Sequence, residues 1–63
     1  MGKVRNRHDK LLALVAVFPL KAHDLANMLD VHVNAIWRDI DYLVSRNKLH
    51  VDHDVNGMMV RAL

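Results

Sequence analysis

Only Asp30, Val31 and His32 separate two apolar periods in this sequence. Ala22, Leu25, Ala26, Met28 and Leu29 recur at the spacing of a helix face, and Val33, Ile36, Ile40, Leu43 and Val44 do so again just beyond. Asp24 stands near the start of the first period, where a carboxylate favours the positive end of the helix dipole. Asp tolerates a left-handed turn, so Asp30 and Val31 form a very short connection, with His32 just before the next helix. The spacing predicts helices over 22–29 and 33–46. Asn47 ends the second, because Asn adopts the left-handed conformation at low cost.

Upstream, Leu11, Leu14, Val15 and Phe18 repeat at i, i+3, i+4 and i+7, with Asn6 as a cap before them, which predicts a helix over 7–18. Pro19 stops it: proline lacks the N–H that continues the ladder and pushes the residue before it out of the α region. Residues 1–6 remain as a basic arm. Downstream, Asn56-Gly57 is a strong hairpin signal, since a type I′ turn needs positive φ at both central residues. That turn pairs Val55 with Met58, His53 with Val60 and Val51 with Ala62, and sets Asp52 across from Arg61. One face of the hairpin then gathers Val51, Val55, Met58, Val60 and Ala62. Three helices, a tight link and a wing over 49–63 describe an α+β, mostly helical chain. The pattern is that of a single winged helix-turn-helix domain over 1–63.

Composition narrows the function. A chain of 63 residues with 52% hydrophobic content and no cysteine has room for one small domain. Without disulfides or a thiolate zinc site, its core must stabilise it, with roughly 3 to 5 kcal/mol to spare. The longest uncharged apolar run, Leu11 to Leu20, falls well short of the roughly 20 residues that cross a bilayer. Asp9, and the lack of a small-residue cleavage site, argue against a signal peptide in Met1 to Leu20. The chain therefore reads as soluble and cytoplasmic, with no membrane partner. It has no Gly-rich phosphate loop, no threonine, and Ser45 as its single serine with no neighbouring base at triad spacing. No enzyme activity and no cofactor are expected. Strand alternation puts His50, Asp52 and Asp54 on one face but His53 on the other, so no three-ligand metal set forms. His8, His23 and His32 are scattered and read as surface or capping residues.

Leu29-Asp30-Val31-His32-Val33-Asn34-Ala35-Ile36-Trp37-Arg38-Asp39-Ile40 resembles the turn and recognition helix of DeoR-type and biotin-repressor-type regulators. Those typically read Leu-Gly-Val-Ser-x-x-Thr-Ile-Arg-Arg-Asp-Leu. Leu11-Leu12-Ala13-Leu14 looks like the family's first helix and Asn56-Gly57-Met58-Met59-Val60 is similar to its wing, so the resemblance spans 7–61. It implies a winged helix-turn-helix that binds DNA. The sequence departs from the pattern where Asp30 stands for the turn glycine, His32 for the capping Ser, Ala35 for Thr and Trp37 for the first Arg. These departures alter three hydrogen-bonding contributors and give weight to a protein partner. The effector domain such repressors carry has no counterpart here, so no small-molecule effector is expected.

With Ile36, Ile40 and Leu43 turned inward, helical spacing puts Asn34, Arg38, Asp41 and Ser45 on the outward stripe, flanked by Trp37 and Tyr42. In a major groove Arg38 can donate two bonds to guanine and Asn34 can make two with adenine, each good pair discriminating by roughly 1 to 3 kcal/mol. Asp41 opposes phosphates, and Asp39 is expected to hold a bond within the domain. Trp37 has three open roles: packing on sugar and thymine methyl, anchoring a protein interface, or covering the core edge. The net charge of +2 is unevenly spread, since Lys3, Arg5, Arg7 and Lys10 face only Asp9 among residues 1–10. The wing offers His50, Asp52, His53 and Asp54, a poor phosphate contact. DNA contacts are thus expected from Asn34, Trp37, Arg38, Ser45 and His32, with phosphates met by Lys3, Arg5, Arg7, Lys21 and Lys48.

Helix one carries apolar residues beyond its core stripe, and no charge occurs between Lys10 and Lys21. Leu12, Ala13, Ala16 and Val17 lie on its other sides, which favours a homodimer through this helix. The function expected is a small sequence-specific regulator of transcription that binds double-stranded DNA. It would be a repressor or accessory factor of a phage or mobile element, acting by occupancy. The alternative is an interaction module that docks a host or partner protein through Trp37, Tyr42 and the apolar surface of helix one.

Overall fold

The computed structural model describes residues 3–55 and 57–63, the side chains of residues 3–5 and 54 excepted. Its elements run α1 (Lys3–Val17), β1 (Leu20–Lys21), α2 (Ala22–Leu29), α3 (Val33–Ser45), β2 (Leu49–Asp54) and β3 (Gly57–Ala62). Three helices packed on a small antiparallel sheet give the mostly helical, winged-helix-like α+β fold that the apolar periods imply. Among the described residues no helix is long and apolar enough to cross a membrane.

Each helix contributes one stripe to a common core. Leu11 and Val15 come from α1, Ala22, Leu25 and Ala26 from α2, and Ile36, Ile40 and Leu43 from α3, closed from the sheet side by Leu20, Leu49 and Val60. Removing these apolar side chains from water is the main force holding the elements together. The α2 and α3 bounds follow the apolar periods closely. Both helices end in the same way, with a left-handed residue after the last turn: Asp30 at φ 56° and Asn47 at φ 61°. The backbone N–H of Val31 donates to the carbonyl of Ala26 (3.0 Å), and that of Lys48 to Leu43 (2.9 Å). These 6→1 bonds satisfy end carbonyls that would otherwise lack a donor.

Three expectations are corrected. First, α1 begins at Lys3, so the residues read as an arm are helical from that point and Asn6 lies inside the helix rather than capping it. Second, α1 ends at Val17, one residue before the expected Phe18. Preceding Pro19, Phe18 is steered away from helical geometry and leaves the core stripe; it is 55% exposed. On the outer edges of the α1 and α3 stripes, Leu14 is half-buried and Val44 is exposed.

Third, the hairpin register differs by two residues. Leu49 pairs with Ala62, Val51 with Val60, His53 with Met58 and Asp54 with Gly57. Gly57, at φ 109°, therefore lies inside the ladder, Val55 sits at the tip with 99% exposure, and Asn56 falls outside the described residues. A shift of two keeps every side chain on its expected face, because strand alternation has that same period. A third strand that the sequence pattern does not show joins the sheet on the far edge of β3. Leu20 and Lys21 pair with Val60 and Met59, giving the sheet order β1-β3-β2. Leu20, Val60 and Val51 then form one row, and Leu49 enters the sheet at 2% exposure.

Candidate nucleic-acid interface

α3 is fixed from behind and open in front. Ile36 and Ile40 are fully buried and Leu43 nearly so, while Asn34, Arg38, Asp41 and Ser45 are exposed along the opposite side. The start of the helix is closed by His32, whose Nδ1 accepts the backbone N–H of Asn34 at 3.1 Å. The imidazole thus does the work of the short hydroxyl or amide side chains favoured at a helix start, so His32 caps α3. At the other end, the Ser45 hydroxyl donates to the Tyr42 carbonyl at 2.6 Å.

The expected flanking residues are engaged within the chain. Trp37 is half-buried and packs against the core, the covering role among its three. Tyr42 is 46% exposed, with its ring stacked on His8 at 5.1 Å between centroids and 19° between planes. The Arg46 guanidinium lies 5.1 Å from the same ring centroid, a cation–π contact.

Asp39 is the one buried charged residue in the described core, at 3% exposure. Arg7 grips it with both Nε and Nη2, the latter at 3.0 Å to Oδ1, and His8 donates from Nε2 to Oδ1 at 3.0 Å. A buried carboxylate needs this degree of pairing to offset its lost hydration. The hydrogen bonds that Arg7 donates to Asp39 raise the Arg7 pKa above its ordinary value, against the opposing effect of desolvation. Asp39 thus holds a bond within the domain, as expected. Arg7, expected at a phosphate, is engaged inside the chain: its guanidinium joins α1 to α3 across 32 positions of sequence.

The remaining cations are spread around the fold. Lys21 is exposed in β1 and Lys48 is exposed in the turn before β2, while the side chains of Lys3 and Arg5 lie outside the described set. On the wing, Arg61 bonds Asp52 and so does His50, the latter at 2.9 Å. The expected Asp52 and Arg61 pair is present, but diagonally, because the register sets His50 opposite Arg61. The Arg61 hydrogen bond holds the Asp52 carboxyl below its ordinary range, with smaller help from His50. Among the described residues no three metal-ligating side chains gather. Of the residues expected at a dimer or partner surface, Ala16 and Val17 are exposed, Val17 at 74%, whereas Leu12 packs against the core.

Sequence reasoning left Arg46 out. Its signal was the spacing Asp39, Tyr42, Arg46, which puts three polar or aromatic residues on one flank of α3 at i, i+3 and i+7. No protein-family model matches the chain, and comparison with curated proteins finds no match.

Proposed function

We propose that this chain is a sequence-specific DNA-binding regulator of the winged helix-turn-helix kind that acts in the cytoplasm by occupying its site, with α3 as the reading helix. The observation that carries the reading is the solvent-facing stripe of Asn34 and Arg38 on a helix braced from behind and entered through the three-residue link 30–32. Arg38 is suited to the guanine edge and Asn34 to the adenine edge. Salt-paired Asp52 and Arg61 leave the wing little charge to offer phosphates, so the wing lies beside the DNA backbone in this reading.

A two-fold dimer through α1 would present two such helices to half-sites about one DNA turn apart. Exposed Ala16 and Val17 support it. The protein-docking alternative has less support, since Trp37 and Tyr42, its anchors, already pack within the chain.

The deciding experiment titrates duplex DNA of random sequence at two salt concentrations and repeats it with Arg38→Ala. A DNA reader loses affinity steeply with salt, and its sequence preference relaxes in the variant. Salt-independent or absent binding refutes the proposal. Sedimentation over a concentration series tests the dimer, which a constant monomer mass would remove.

A further inference from the structure

We propose that Arg46 is a phosphate contact beside the reading helix, held ready by a relay of side chains that starts at the buried Asp39. The inference rests on α3 being the DNA-reading helix and adds to it the residue that grips the backbone.

The structure sorts the arginines by what they already hold. Arg7 is bound to Asp39 and Arg61 to Asp52, whereas among the described residues neither Arg38 nor Arg46 has a carboxylate within ion-pair distance. An arginine neutralised by a buried carboxylate has little to offer a phosphate, and an unneutralised one keeps its full charge. Arg38 lies within the outward stripe. Arg46, at roughly 100° per residue, lies about 110° round from the middle of that stripe, on the flank that faces α1. Side chains at the centre of a groove-bound helix meet base edges, and those a quarter to a third of a turn away meet the sugar-phosphate walls. Asp41, the stripe's carboxylate, lies on its other side and does not neutralise Arg46.

Three side chains set the position of that guanidinium. Asp39 accepts from His8, His8 stacks on Tyr42, and Tyr42 underlies Arg46. A guanidinium that stacks on a ring by its flat face keeps its N–H edge for two parallel bonds to a phosphate. A side chain already ordered by a ring loses less rotamer freedom on binding than a solvated lysine. Arg7 therefore acts indirectly: by gripping Asp39 it fixes the base of the relay.

The test measures binding of a random-sequence duplex against salt for the full chain and for Arg46→Gln, Tyr42→Leu and Tyr42→Phe. Far-UV circular dichroism and melting temperature confirm that each variant folds. Losing one phosphate contact makes the log–log salt slope shallower by about 0.9, so the fall in affinity between 50 and 200 mM salt shrinks by about threefold. Arg46→Gln should show this on every sequence tested. Tyr42→Leu should weaken binding in the same sense, and Tyr42→Phe should restore it, because the ring and not the hydroxyl holds the cation. An unchanged slope in Arg46→Gln, with wild-type binding steeply salt-dependent, overturns this inference and leaves the DNA reading standing. Wild-type strength in Tyr42→Leu overturns the relay. Absence of salt-dependent binding by the wild type overturns both the inference and the reading beneath it.

Discussion

Replacing Asp39 by Asn tests whether α1 is held to α3 by charge. The substitution keeps volume but removes the charge. It also turns Oδ2, which accepts from Arg7 Nε, into an amide donor that faces another donor. Removing one partner of a buried ion pair costs about 3 to 5 kcal/mol when both groups are fully enclosed. Asp39 is enclosed at 4% side-chain exposure, but Arg7 is 22% exposed and regains some hydration, so a loss of about 2 to 3 kcal/mol is expected. A domain of this size holds roughly 3 to 5 kcal/mol in all. The variant should therefore melt about 10 to 20 °C lower, since 1 kcal/mol moves the midpoint of a small domain by about 4 to 8 °C. Urea and thermal unfolding followed at the helical circular dichroism band provide the assay. Arg7→Met and the double variant complete a cycle in which the two losses should overlap strongly. A loss under about 0.5 kcal/mol, typical of an exposed surface pair, or two losses that simply add, would refute the reasoning.

His32→Ala should destabilise by about 1 kcal/mol through loss of the helix cap, with faster hydrogen exchange at the Asn34 amide, while His32→Ser should retain most of the stability. Asp30→Gly should be tolerated at the left-handed turn, whereas Asp30→Val should cost about 1 to 2 kcal/mol, read from the urea midpoint. The depressed Asp52 pKa means that its pairing with Arg61 contributes above the ordinary carboxylate range and is lost as pH falls through the lower folded-state value. A carboxyl-carbon NMR titration should place the Asp52 midpoint below 3.8, and Arg61→Ala should return it toward that value.

The parts of the fold legible in the sequence are those governed by near neighbours. The apolar periods locate α2 and α3, Pro19 halts α1, and Asp30 and Asn47 stand where the backbone turns left-handed, because each depends on spacing or torsion within a few residues. The outward stripe of α3 was legible for the same reason. Alternation also assigned the faces of the hairpin, and it could not see a slip of two, which leaves every face unchanged.

Tertiary structure decided what depends on distant partners. Leu20 and Lys21 are too few to register as a strand by pattern, yet by pairing with β3 they form one row with the chosen register. The starting stretch of α1 read as an arm because Lys3 and Arg5 make it basic, and charge pattern carries no trace of the carboxylate that Arg7 meets 32 positions away. Sequence counts Arg7, Arg38, Arg46 and Arg61 as equal charges. Burial separates them: a charge removed from water must find its counter-charge inside the fold, so Asp39 claims Arg7 from a distant helix, whereas Arg46 stays at the surface over an aromatic ring.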